Sequence, residues 1–409
     1  MTQNGTAGTR PDKHDFDTLT GNTWAVHGGN HADETFGAIR TPIVMANSYR
    51  LPEDPALIDD PSYDGLVYTR EHGANQLGLE EKLAKLDHGE AAAVFGTGMA
   101  ALYAAFFTIL NPGDHAVVST VVYRRVAELF ADVLPAKLGI EVDLVDITDL
   151  DAVRAAVRPN TRLVHTEVIA NPDLRVADVG ALAGIAHDAG AVLTIDSTFT
   201  PPPMMRPLDH GADLVIHSLT KYYNGHGDAM GGVVIGGRDL VEETRSCAMW
   251  HAGGAISPFN AWLIVRGSVT LPLRLARQCE NAQAVAEFLQ ADQRVVHVSY
   301  PGLSDHDQHQ VAVAQLSGGG GAVVSFAIGG THSDRLTFVN DLRVITSAVS
   351  LGHDETLVAY EEYPEGPAAA FAQPFREHGL VRLAIGLEAK DDLIADLDAS
   401  LTTAYGLAH

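Results

Sequence analysis

Lys221 stands in the run Ser218-Leu219-Thr220-Lys221, directly after the apolar stretch Ala212–His217, and is followed by Tyr-Tyr-Asn-Gly-His-Gly-Asp. A lone lysine after a strand is usually a solvated surface residue. This segment, however, is too polar for a core and too rich in glycine for a plain helix. Hydroxyls beside a lysine at a strand end suit a phosphate and a reactive amine held together. Asp196 closes the run Ala-Val-Leu-Thr-Ile-Asp; on its own it reads as a carboxylate capping the next turn. Gly96-Thr97-Gly98-Met99 opens a helical stretch, where glycine lets backbone N–H groups approach a phosphate and the helix dipole favours it. Each signal is weak alone. Together, an amine for a Schiff base, an acid for a pyridinium nitrogen and a phosphate cup describe one cofactor, pyridoxal 5′-phosphate. Lys221 would be the amine and Asp196 the acid, with Gly98, Met99, Ser218 and Thr220 around the phosphate.

Ligands of open α/β sheets sit at the carboxyl ends of the strands, and the surrounding pattern predicts such a sheet. Strands are expected over His115–Val122, Glu141–Val145, Thr161–Glu167, Ala191–Asp196, Ala212–Ser218 and Gly232–Ile235, with helices over Gly98–Leu110, Arg124–Leu138 and Ala177–Ala189. Short β-branched runs between helices imply βαβ units and a largely parallel sheet. Beyond Pro258 the texture changes. A long helix over Leu271–Gln290 precedes strand candidates at Arg294–Ser299, Ala322–Ile328 and Val381–Leu387, and a closing helix at Lys390–Tyr405. The expected division is an N-terminal arm (1–60), a large cofactor-binding domain (61–260) and a C-terminal domain (261–409).

Composition narrows the partners. The net charge of −25 opposes general binding to nucleic acid or anionic membranes. Two cysteines give no disulfide framework and suit a reducing cytoplasm, where the protein is expected. No apolar run reaches the length of a membrane span, and Met1–Thr20 lacks the apolar centre of a signal peptide. Nineteen histidines invite a metal site, yet His306 and His309 lie in a loop-like run and no His-Glu-x-x-His pattern occurs, so no metal is expected. No early strand is followed by the Gly-x-Gly-x-x-Gly turn and distal acid that a nicotinamide-dependent dehydrogenase needs.

Eight segments in order resemble the Cys/Met-metabolism family of pyridoxal-phosphate enzymes, which includes cystathionine γ-synthases, cystathionine lyases, methionine γ-lyases and O-acylhomoserine sulfhydrylases. They are Val67–Arg70, Gly96–Leu102, Ala170–Pro172, Thr194–Phe199, His217–Gly232, Arg266–Arg274, Ser350–Gly352 and Val381–Glu388. The resemblance implies a type I pyridoxal-phosphate transferase fold: α/β, with a large mostly parallel-sheet domain and a smaller C-terminal α/β domain. It implies that Tyr123 stacks on the cofactor ring and handles protons beside Lys221, and that Asn171 lies near the ring oxygen. Arg382, Ser350 and Leu351 match the substrate-binding positions, Arg382 clamping the carboxylate with its guanidinium fork. Tyr68 and Arg70 match residues that reach the phosphate and substrate of a neighbouring subunit, which implies a homodimer or homotetramer with shared active sites.

The expected reaction is γ-elimination on an L-amino acid, with γ-replacement on an O-acylhomoserine as the alternative. The substrate end departs from the family. Arg124 and Arg125 follow Tyr123, Glu71–Asn75 replaces an Asn-Pro-Thr turn, Ser197 and Ala384 stand for Asn and Ser, and residues 354–365 form an acidic run with Asp354, Glu355, Glu361, Glu362 and Glu365. Such a loop is either solvated or turned toward a cationic leaving group. Canavanine, which carries a guanidinium on a γ-oxygen, is therefore an expected substrate beside methionine and cystathionine. Inward-pointing Arg124 and Arg125 would repel that cation or pair with the acids.

Overall fold

The computed structural model describes residues 20–406 except 32, 34–35, 60–64 and 363–369. The first 19 residues of the expected arm and Glu365 of the acidic run lie outside the described residues. Among those described, seven strands form one sheet: β1 (Ala91–Phe95), β2 (His115–Ser119), β3 (Glu141–Val145), β4 (Thr161–Glu167), β5 (Val192–Asp196), β6 (Leu214–His217) and β7 (Gly232–Gly236). Their order is β1-β7-β6-β5-β4-β2-β3, and all run parallel except β7, which is antiparallel to both its neighbours. The interior strands are buried on both faces, which explains their continuous β-branched and apolar sequence. β1 escaped the sequence reading because Ala-Ala-Ala-Val-Phe has weak strand propensity; tertiary burial makes it a strand.

Five strands form a second sheet: β8 (Val295–Ser299), β9 (Val323–Ile328), β10 (Thr346–Ser347), β11 (Leu357–Glu361) and β12 (Leu380–Ala384), in the order β10-β11-β12-β9-β8. Here the structure corrects an expectation. The acidic run is not one loop: Leu357–Glu361 pairs antiparallel with β12, with Ala359 opposite Arg382. The expected helix over Arg124–Leu138 is also interrupted, by a π-helical stretch at Leu129–Val133.

Helix Gly98–Ile109 and Phe130 cover one face of the large sheet, burying Leu102, Phe106 and Val118. On the other face the core runs without a break from Val164 and Ile195 through Leu219 and Leu275 to Leu351, Leu357 and Ala384. The two sheets thus share an apolar seam, and the 21-residue helix Leu271–Ala291 crosses it. Burial of this kind stabilises by about 25 cal/mol per Å² of apolar surface, so the seam holds the strand ends of one sheet against the other. Among the described residues no helix is long and apolar enough to cross a membrane.

Candidate active site

The carboxyl ends of β4, β5 and β6 lie side by side, with Glu167 opposite Asp196 and Asp196 opposite Ile216. That register brings together side chains distant in sequence. Asp196 Oδ1 accepts the Thr198 N–H at 2.9 Å, and Thr198 Oγ1 accepts the Ser218 N–H at 2.8 Å. The turn after β6 is held by Thr220 Oγ1, which accepts the Gly231 N–H at 3.1 Å. Helix Gly98–Ile109 starts against this turn, its first residue so close that a Cβ on Gly98 would stand 2.8 Å from the Ser218 Cβ. Only glycine permits that approach. Thr97 caps the helix by accepting the Ala100 N–H, while the N–H groups of Gly98 and Met99 have no acceptor among the described residues. A helix N-terminus, two free amides and the Ser218 and Thr220 hydroxyls make a cup suited to an anion.

A hydrogen-bonded chain links this cup to the second sheet. Glu167, which the sequence reading passed over, is buried and accepts the N–H of Tyr123 at 2.6 Å and of Asn171 at 2.7 Å. Asn171 Oδ1 accepts from Arg382 Nη1 at 2.6 Å, and Arg382 Nη2 donates to the Ser350 carbonyl at 3.3 Å. Lys221 Nζ donates to Ser350 Oγ at 2.7 Å, and His353 Nε2 lies 3.2 Å from the same oxygen. Leu351 is buried beneath. Ser350 has φ 110°, a conformation costly for a non-glycine residue and held here from both sides. Glu167 carried a sequence signal: it ends a strand beside the one that ends in Asp196. His353 carried none beyond its place after Ser350-Leu351-Gly352.

Burial pushes the Asp196 carboxyl above the ordinary carboxylate range, against the opposing Thr198 hydrogen bonds and the charge of His217. Burial, then the charge of Asp196, raises Glu167 well above that range. Two buried carboxyls side by side call for a cationic N–H partner, as a pyridinium would supply. Burial, then the like charge of Arg382, lowers Lys221 to about 8, within reach of a nucleophilic neutral amine. Arg382 is lowered by burial, and its Nε is buried without a hydrogen-bond partner. The residues present therefore fit pyridoxal phosphate, and the fork of Arg382 fits a carboxylate.

Not every expected residue joins this cluster. Tyr123 is at the edge, 41% exposed. Tyr68 and Arg70 contact each other, with the guanidinium 5.2 Å from the ring centre, and Arg70 lies 3.6 Å from Glu71; among the described residues neither bonds to the cluster. Arg124 and Arg125 both bond Glu128, one turn further along their own helix. In that run Asp354 and Glu355 are exposed, and Glu362 is exposed and paired with His332 and Arg335 behind the sheet. Glu361 differs: two residues beyond Ala359, it shares the sheet face of Arg382 and attracts its charge. His306 accepts from Gln308 N within its own loop and His309 bonds the Pro301 carbonyl; among the described residues no three metal-ligating side chains cluster. A cavity of about 510 Å³ beside Arg175, His297 and His306 is lined by none of these site residues.

A sequence model of the family described as Cys/Met metabolism PLP-dependent enzyme matches residues 22–402. The chain is 56% identical over 397 residues to a canavanine γ-lyase of Rhizobium leguminosarum bv. trifolii, covering 97% of this chain and 99% of that one. It is 53% identical to a canavanine γ-lyase of Pseudomonas canavaninivorans, covering 97% and 100%. A crystal structure of cystathionine γ-synthase from Xanthomonas oryzae pv. oryzae in complex with aminoacrylate and cysteine superposes with a TM-score of 0.87 at 35% identity, covering 95% of this chain and 100% of that one.

Proposed function

Because this chain belongs to the Cys/Met metabolism family of pyridoxal-phosphate-dependent enzymes, we propose that it is a γ-lyase whose substrate is an L-amino acid with a guanidinium on a γ-oxygen, canavanine. Full-length similarity to two canavanine γ-lyases carries the substrate reading. Glu361 supports it as the one described carboxylate of the acidic run that shares the face of Arg382.

Pyridoxal phosphate, when bound, supplies a ring that takes up carbanionic charge from the substrate. Its phosphate is assigned to Gly98, Met99, Ser218 and Thr220, and its ring nitrogen to Asp196. Asn171 is assigned to the ring oxygen and Tyr123 to the ring face. Arg382 and Ser350 hold the substrate carboxylate, with Leu351 at the pocket wall. Lys221, lowered toward neutrality, takes the α-proton; a β-proton is then lost, and the Cβ–H electron pair forms the Cβ–Cγ double bond. Tyr123 moves a proton at the γ-oxygen as the Cγ–O bond breaks and the electron pair leaves on oxygen, releasing hydroxyguanidine. Water completes the four-carbon remainder either to homoserine or to 2-oxobutanoate and ammonia.

Residues 61–260 are assigned as the large cofactor-binding domain and 261–409 as the domain that closes the site. Tyr68 and Arg70 serve the site of a second copy of the chain, so the active unit is a dimer or tetramer, placed in the cytoplasm. That each contacts the other, and neither bonds to the cluster among the described residues, supports this. Mixing Arg70→Ala with Lys221→Ala chains then restores activity in hybrids, since one site regains both residues. No restoration despite subunit exchange overturns the shared site.

The substrate test compares kcat/KM for canavanine, methionine, cystathionine and O-acetylhomoserine, with release of hydroxyguanidine and the four-carbon products measured. Canavanine leads, and Glu361→Gln lowers its efficiency relative to methionine by roughly 10–10²-fold, the weight of one charged hydrogen bond. No turnover of canavanine overturns the substrate; an unchanged ratio in Glu361→Gln overturns the role of that residue.

A further inference from the structure

His353 is the third member of a line that begins at Lys221 Nζ, 2.7 Å from Ser350 Oγ, and continues 3.2 Å to His353 Nε2. The line is built from both sheets' surroundings. Gln278 Nε2 donates to the His353 carbonyl at 2.7 Å, and Arg382 Nη2 to the Ser350 carbonyl at 3.3 Å. The imidazole lies over Gly227, where a Cβ would come within 3.1 Å of Cε1 and Nδ1; Gly227 has φ +68°, so glycine answers both demands. Burial, then the positive charge of Lys221, lowers the imidazole's pKa, opposed by Glu355 and Asp354, which keeps a neutral ring with an acceptor nitrogen available.

The hydroxyl of Ser350 has one hydrogen to give. A charged Lys221 has no lone pair, so Ser350 Oγ must accept from it and its own hydrogen must go elsewhere; His353 Nε2 is placed to receive it. Once Lys221 is neutral, its single lone pair is what a carbonyl carbon or an α-proton needs. Without an acceptor on its far side, Ser350 can turn its hydrogen into that lone pair and mask it. We propose that His353 is a positioning residue that holds the Ser350 hydroxyl as a donor away from Lys221 and so keeps the amine's lone pair open.

The proposal rests on Lys221 being the reactive amine. It is tested on the full-length enzyme stripped of cofactor, by the second-order rate at which added pyridoxal phosphate develops Schiff-base absorbance, a measurement that involves no turnover. His353→Leu, which removes the acceptor, is expected to slow capture by about tenfold, the weight of one ordinary hydrogen bond. His353→Gln, which restores an acceptor, is expected to stay within about threefold of the parent. In a Ser350→Ala background there is no hydroxyl to direct, so His353→Leu is expected to change nothing further. His353→Ala makes the same comparison should the leucine variant fail to fold. Capture at the parent rate in both acceptor-free variants overturns the proposal. So does an undiminished effect in the Ser350→Ala background, because His353 would then act by packing alone. Schiff-base absorbance persisting in Lys221→Ala would instead overturn the assignment of Lys221.

Discussion

The two walls of the site are made differently. The large-sheet wall consists of the ends of β4, β5 and β6 and the start of helix Gly98–Ile109, and its residues are set by backbone register: Glu167 opposite Asp196, and Gly98 against Ser218. The small-sheet wall consists of a strained turn at Ser350 and the strands β11 and β12, and its residues are set by contacts made across the seam. A wall fixed by a parallel sheet cannot shift one side chain without shifting the strand. A wall fixed by side-chain bridges can exchange residues singly. The first suits chemistry held in common by a family, and the second suits the choice of substrate.

If that contrast is right, changes on the large-sheet wall abolish or cripple every reaction, whereas on the small-sheet wall a single residue such as Glu361 can alter which substrate is used. The largest effect is expected for Lys221→Ala, with turnover lost on all substrates and no Schiff-base absorbance on adding pyridoxal phosphate. Near-normal turnover in that variant would remove the assignment. Asp196→Asn keeps the shape but not the negative charge, and at least ~10²-fold loss of kcat on all substrates alike is expected, as for other lost electrostatic stabilisation; a loss confined to one substrate would erase the distinction between the walls.

Arg382→Lys comes next. A point charge replaces a fork that bonds Asn171 and Ser350, so kcat/KM should fall by roughly 10–10²-fold, carried mainly by KM. A fall carried only by kcat would place Arg382 with the large-sheet group. The pH dependence of cofactor capture is a subtler link between the walls. With Lys221 lowered to about 8, the neutral amine accumulates as pH rises through about 8, and capture should level off above it. Arg382→Ala removes a like charge, so the midpoint should move upward; a downward shift would contradict the electrostatic coupling. The smallest effect is expected for Arg124→Ala with Arg125→Ala. Both side chains are exposed and pair with Glu128, so kcat/KM for canavanine should change by less than about threefold, as suits solvent-screened pairs.

The large-sheet wall was legible in the sequence because its residues sit in short, contiguous segments. Asp196 ends an apolar strand, Lys221 follows another, and Gly98 opens a helix, so each feature was readable within its own segment, and the needs of one cofactor joined the three. The strands of β4 and β5 were found to within one residue for the same reason: buried parallel strands are continuous apolar runs. β1 was not found, because its alanines become a strand only through pairing with β7.

The small-sheet wall was not legible in this way. Five carboxylates in one run look alike in sequence, and only the pairing of Ala359 with Arg382 separates Glu361 from Glu362, which the pleat sends to opposite faces. Likewise Arg124 and Arg125 could point anywhere until Glu128, a turn further along the helix, claimed both. What the sequence determined by itself was the chemistry that needs particular residue types at short spacing: the amine, the acid and the phosphate cup. Tertiary structure alone decided which distant groups meet: Glu167 with Tyr123 and Asn171, Arg382 with Asn171, and Lys221 with Ser350 and His353. The reason is physical. Local spacing is constrained by bond geometry within a few residues, but contacts across 129 or 211 residues depend on how two sheets pack, and that is decided by the whole buried seam at once.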